Sequence, residues 1–161
     1  MEPREIVDQE LSIISATFAV QKAIEPMAVL IKDDRRFGVN AYYENDAHKE
    51  IVSQGIKDLV KRSDPDIVIY MAEAYTKVIK GKPGVIPARI SPSDLEAIEI
   101  VTVQIEFKTG EKYGCDARIK RDRGVVRLER FEVHDASMAF GRFMDFFPIG
   151  RTNCVLWGRN P

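Results

Sequence analysis

Three carboxylates in the middle of the chain have residue types and a spacing that suit chemistry. Glu73 lies close to the end of the apolar run IVIYMAEAY, residues 67–75, and Glu96 and Glu99 open the next apolar run. If the two runs pair as strands, such a group suits a general base, or a Mg²⁺ or Mn²⁺ site in a hydrolase or nuclease. The alternative is structural, because a buried carboxylate needs a partner such as Arg89 or loop amides. The sequence favours this alternative, with Glu96 and Glu99 in solvent.

A second candidate site is the basic stretch that ends at Arg130. Residues 106–130 hold eight basic and five interleaved acidic side chains. As a β-ribbon, this stretch suits contacts with the phosphates of a nucleic acid, made by Arg118, Lys120, Arg121 and Arg123. The alternative is the solvated face of an amphipathic hairpin, whose charges protect an exposed strand from aggregation. The sequence favours the solvated face.

Other signals of catalysis are weak or missing. The chain has no glycine-rich phosphate loop, nucleophile elbow or zinc-ligand pattern. His134 beside Asp135 favours a helix cap over part of a triad. Cys115 alternates with polar residues on its strand, which favours a small core residue over a reactive thiol. We therefore expect no metal and no cofactor.

The C-terminal segment FGRFMDFFPIGRTNCVLWG, residues 140–158, is rich in large apolar side chains. As a helix it places Phe146 about 100° from Phe147, at the edge of the apolar stripe or beyond it. Large exposed apolar patches are rare on monomers and are buried in symmetric dimers. We therefore predict a homo-oligomer, most simply a dimer, with a contact formed by Phe140, Phe143, Phe146, Phe147 and Trp157. The alternative is that the segment only closes the core of its own domain.

The elements that must position these residues follow from periodicity. Apolar residues at helical spacing predict a first helix over residues 3–25 and a second over 46–64, with Asp46 as N-cap. Between them, two apolar strands at about 27–32 and 37–43 predict a β-hairpin. The run at about 66–77 is apolar on both faces, which predicts a central strand. A long proline-rich loop, an antiparallel three-stranded meander and an apolar C-terminal helix or tail complete an α+β fold.

Length and composition agree with one domain spanning residues 1–161. Hydrophobic residues make up 45% and charged residues 30%, with a net charge of −1, so nothing draws the whole chain to nucleic acid or membrane. Two cysteines and an acidic, polar start, MEPREIVDQE, predict a cytoplasmic protein with reduced thiols. No apolar run is long enough to span a membrane.

The pieces PDIVIYMAEAY and PSDLEAIEIVTV, joined by the proline-rich loop, resemble a pattern found in a group of small prokaryotic and phage proteins. In that group an apolar strand ends in EAW or EAY, and a later PS…D…EA segment leads into the next strand. The resemblance covers about residues 65–107. It implies a prokaryotic or phage source and supports the strand and loop assignments. The group has no established activity, so the resemblance implies no catalytic residue.

Together these observations favour a cytoplasmic α+β domain without catalytic activity that acts through binding or self-association. A metal-dependent hydrolase or nuclease built on the clustered carboxylates remains an alternative. A nucleic-acid-binding module built on residues 108–130 is a second alternative. The sequence does not identify a small-molecule ligand.

Overall fold

The computed structural model describes residues 1–76, 97–136 and 146–147, which contain two helices and seven strands. The helices are α1 (Pro3–Gln21) and α2 (Asp46–Ser63). The strands are β1 (Met27–Lys32), β2 (Arg35–Asn40), β3 (Ile67–Thr76), β4 (Ile98–Phe107), β5 (Lys112–Asp122), β6 (Val125–Leu128) and β7 (Glu132–Asp135). The fold class is α+β, as predicted. The expected proline-rich loop and C-terminal helix lie outside the described residues.

The strands form one antiparallel sheet in the order β2-β1-β3-β4-β5-β6, and β7 also pairs with β5. Strand β3 lies between β1 and β4, so that Ile69 is opposite Val29 on one side and Ile105 on the other. This is the central position that its two apolar faces predict, because a strand covered on both faces has no solvated side to carry polar residues.

Helix α1 packs on one face of the sheet. Its apolar stripe Val7, Leu11, Ile14 and Phe18 is fully buried, in a cluster that includes the odd-numbered core residues of β3, β4 and β5. Residues three and four apart share one face of a helix, so this spacing alone fixes which side of α1 meets the sheet. Burial of each such side chain contributes roughly 1.5–3 kcal/mol of hydrophobic free energy.

Helix α2 covers the opposite face, over β1 and β3. Ile56 and Val60 pack against Leu30, Val68 and Tyr70. The helix begins after Asn45, whose side-chain oxygen accepts a hydrogen bond from the N–H of His48 at 2.8 Å. Asp46 is therefore the first helical residue and not the predicted N-cap.

Two other boundaries differ from the prediction. Helix α1 ends at Gln21, where Lys22 adopts a left-handed conformation with φ 61° and its N–H bonds to the carbonyl of Phe18. The β1–β2 turn consists of Asp33 and Asp34, both with positive φ, which matches the twist of a tight hairpin and starts β2 at residue 35.

The third strand of the predicted meander is two strands, β6 and β7. Both pair with β5, where Ile119 is opposite Leu128 and Asp116 is opposite Glu132. Three residues, 129–131, therefore oppose two on β5, which is the arrangement of a β-bulge. Among the described residues, no helix is both long and apolar enough to cross a membrane.

Candidate functional site

Glu73 lies on β3 at the point where buried residues give way to exposed ones. Strand β3 is buried through Tyr70, and residue 73 itself is exposed. Its Oε1 accepts a hydrogen bond from the main-chain N–H of Ile24 at 2.9 Å. Ile24 is buried in the link between α1 and β1. The carboxylate thus fastens this link to the central strand, whereas the proline-rich loop, its expected partner, lies outside the described residues with Arg89.

Glu99 lies on the same face of the sheet as Glu73. Tyr75 is directly opposite Glu99 in the β3–β4 ladder, and Val101 is opposite Glu73, so the two carboxylates are diagonal neighbours. The Nε of Arg121 donates to Glu99 Oε2 at 2.6 Å, and the hydroxyl of Tyr75 donates to Oε1 at 3.4 Å. The hydrogen bond to Glu99 raises the pKa of Arg121 above its usual value.

The carboxylate cluster of the alternative hypothesis, a metal-dependent hydrolase or nuclease, is therefore present in part. Strands β3 and β4 pair as the hypothesis requires, but each described carboxylate has a protein partner. Glu96 is outside the described residues. Within residues 1–76, 97–136 and 146–147, no group of three or more His, Cys, Asp or Glu side chains could hold a metal ion.

Cys115 and His134 lie in different environments. Cys115 has no exposed surface and belongs to the cluster under α1, and burial, aided by the nearby Asp116, raises the pKa of its thiol to about 12. It is therefore a core thiol, which is protonated at neutral pH. His134 is exposed on β7, with its Nε2 3.9 Å from Glu132 Oε2.

The basic residues divide between the two faces of the β5–β6 hairpin. Arg118 and Lys120 share the face that α2 covers farther along the sheet, whereas Arg121 points to the opposite face and Arg123 lies in the turn. Lys120 Nζ is 3.8 Å from Glu129 Oε1, and Arg121 pairs with Glu99. Strand β5 pairs with β4 only as far as Arg118, so the end of the hairpin is a two-stranded ribbon.

The ribbon keeps a positive surface after these pairings. Residues 118–130 contain six basic and two acidic side chains, a net charge of +4. The side chains of four arginines form no hydrogen bond or ion pair with any other described residue: Arg118, Arg123, Arg127 and Arg130. The structure thus separates two paired cations from four unpaired ones, which the sequence alone does not distinguish.

Phe146 is predicted to contribute to a contact between copies, and the structure places it in the core under α2. It is 2% exposed, and its N–H donates to both carboxylate oxygens of Glu106, at 3.2 and 3.3 Å. Phe147 is partly buried against the same cluster. Phe140, Phe143 and Trp157 lie outside the described residues. The predicted helical stripe does not show whether Phe146 is buried, because its burial depends on the sheet residues that it packs against.

Sequence reasoning missed two buried carboxylates. Glu106 is 1% exposed and lies opposite Lys112, whose Nζ is 3.9 Å from its Oε1. Glu10 is 6% exposed and binds Arg36. Signals for both exist, because Glu10 falls on the apolar stripe of α1 and a short hairpin turn sets residue 106 against residue 112.

Comparison of the chain with protein-family models, curated proteins and solved structures found no match. The resemblance of residues 65–107 to a group of prokaryotic and phage proteins stays a prediction.

Proposed function

We propose that the protein is a non-catalytic cytoplasmic domain that acts by binding or self-association. One observation carries the proposal: the Glu73 carboxylate accepts the N–H of Ile24. A general base or metal ligand presents its lone pairs to a substrate or an ion, whereas this carboxylate uses one oxygen to hold the chain link before β1. The Glu99 carboxylate is similarly engaged by Arg121.

Metal addition tests this proposal against the alternative of a metal-dependent hydrolase or nuclease. The melting temperature should be the same in EDTA, Mg²⁺ and Mn²⁺. An ion bound to the native state would add about 2.7 kcal/mol of stability at a hundredfold excess over its Kd. A metal-dependent rise that disappears in Glu73→Gln would refute the structural role, because Gln keeps an acceptor for Ile24 but loses the charge. Glu132→Gln, at an exposed carboxylate on β7, is the matched control.

Self-association is measured by sedimentation. At about 10 µM we expect a species heavier than the 18.3 kDa monomer. Phe143→Glu and Trp157→Glu should shift that species toward monomer, since a charge at an apolar contact costs several kcal/mol. Val20→Glu is the control, because Val20 is 83% exposed on α1. A wild-type protein that sediments only as monomer rejects self-association and leaves binding of another partner.

Nucleic-acid binding is the second candidate, and the β5–β6 ribbon favours it. A two-stranded ribbon fits the major groove of B-form DNA, and unpaired arginines suit phosphate contacts. Under this alternative the chain binds duplex DNA at about 150 mM salt with an affinity that falls steeply as salt rises. Arg118→Glu with Lys120→Glu abolishes that binding, whereas Arg35→Glu, on β2, does not. Absence of salt-dependent binding leaves the ribbon as a solvated surface.

A further inference from the structure

The face of the sheet that carries α2 is covered over β1 and β3 and has a groove farther along. Ile100 is opposite Arg118 on this face, and Thr102 is opposite Asp116. A groove of about 480 Å³ lies at these positions, with Ile98 and Ile100 among its apolar lining residues. That volume falls in the range of small-molecule sites, about 300–1,000 Å³.

The bulge between β6 and β7 forms one wall of the groove. The extra residue in 129–131 breaks the alternation of the strand, and Glu129, Arg130 and Glu132 all line the groove. A regular strand would direct successive side chains to opposite faces. The bulge therefore gathers charged groups beside a half-buried apolar surface.

These charges are not all satisfied by one another. Glu129 pairs with Lys120, and Glu132 lies 3.9 Å from His134. The side chains of Arg118, Arg130 and Asp116 form no hydrogen bond or ion pair within the described residues. The groove thus offers two unpaired guanidinium groups and one unpaired carboxylate around an isoleucine surface.

We propose that this groove binds a short zwitterionic peptide with an aliphatic side chain, of about two residues. Arg118 and Arg130 bind its terminal carboxylate, Asp116 binds its terminal ammonium, and Ile98 and Ile100 contact its side chain. Guanidinium groups suit carboxylates because they donate two parallel hydrogen bonds.

The positions of Asp116 and Arg118 along β5 fit this ligand. Asp116 and Arg118 share one face of β5, and their Cα atoms, two residues apart, are about 6.8 Å from each other along the strand. An extended dipeptide spans about 7 Å. The inference rests on the proposed binding function and specifies its ligand.

The test measures binding of alanyl-leucine to the full chain by calorimetry or by NMR chemical shifts. We expect binding at millimolar concentration or tighter, and at least about tenfold weaker binding of alanyl-leucinamide and of N-acetyl-alanyl-leucine, because each lacks one charged end. Glycylglycine, which lacks the aliphatic side chain, should also bind more weakly. Arg118→Gln and Asp116→Asn should each weaken alanyl-leucine binding by a similar factor.

Matched controls are Arg123→Gln and Asp122→Asn, at the tip of the same hairpin and outside the groove lining. They should bind alanyl-leucine as the wild type does. No binding at about 5 mM, or equal binding of the free, amidated and acetylated peptides, overturns the proposal. Either result leaves the sedimentation and metal experiments unaffected. Hydrolysis of the bound peptide would instead support the groove and reject a non-catalytic function.

Discussion

Glu10 and Arg36 form a bidentate ion pair that joins α1 to the edge strand β2. The distances are 2.5 Å from Nη1 to Oε1 and 2.6 Å from Nη2 to Oε2. The Glu10 side chain is 8% exposed and that of Arg36 is 41% exposed. The carboxylate raises the pKa of Arg36, so the guanidinium stays charged at every working pH. Five of the six residues of β2 are exposed, and this pair anchors the strand to the helix.

Arg36→Ala should therefore lower the free energy of unfolding by about 1–3 kcal/mol. Losing one partner of a fully buried pair costs about 3–5 kcal/mol, and the partial exposure of Arg36 reduces that figure. Arg35→Ala is the matched control, since Arg35 is exposed and should change stability by no more than about 0.5 kcal/mol. Urea unfolding of both variants gives the comparison, and equal stabilities would contradict the anchoring role.

Phe146→Ala should destabilise the fold by about 3–5 kcal/mol, because it empties a buried aromatic site under α2. Phe146→Glu should prevent folding rather than simply dissociate a dimer. Phe37→Ala, at a residue 56% exposed on β2, is the control for loss of an aromatic ring. A Phe146→Glu variant that folds and is monomeric would contradict this prediction and place Phe146 at an interface between copies.

Cys115 should be unreactive in the folded protein. In a Cys154→Ser background it is the one remaining thiol, and its pKa of about 12 leaves almost no thiolate at neutral pH. An aromatic disulfide reagent should label it only after unfolding in urea. Rapid labelling of the native protein would show that the thiol is accessible.

The same thiol predicts a loss of stability at high pH. Folding raises the pKa of the Cys115 thiol. The resulting contribution to the free energy of unfolding is fully present below the pKa of a cysteine in the unfolded chain, about 8.5. This contribution is lost as the pH rises from the pKa of the unfolded chain through the pKa of the folded protein, because in that range only the unfolded state releases the thiol proton. Cys115→Ala should flatten this part of the stability profile, measured by urea unfolding at a series of pH values.

Asp64 should titrate at a lower pH than an ordinary aspartate. Its hydrogen bond from Lys108, at 2.8 Å, and the nearby Lys32 lower its pKa. Because folding lowers the pKa of Asp64, the ionised carboxylate stabilises the folded protein at pH values above the pKa of an unfolded aspartate. This stabilisation is lost as the pH falls through the pKa of Asp64 in the folded protein. Lys108→Met should raise the pKa of Asp64, as measured by NMR titration, whereas Lys57→Met should not.

Patterns within single elements were sufficient for much of the fold. The spacing of Val7, Leu11, Ile14 and Phe18 identified the buried side of α1, and all four are in the core. The two apolar faces of β3 identified the central strand. Both succeed because the side-chain direction within a helix or strand is set by its own backbone period. Such a period can be read from neighbouring residues alone.

Relationships between elements required the tertiary structure. Glu10 and Arg36 are 26 residues apart, and only the packing of α1 beside β2 brings them together. Glu73 could be recognised as a carboxylate in need of a partner, but the N–H of Ile24 carries no signal of its own in the sequence. The bulge at residues 129–131 depends on two pairing registers along β5. Register and packing are decided by the sum of many contacts across the sheet, so no local pattern specifies them.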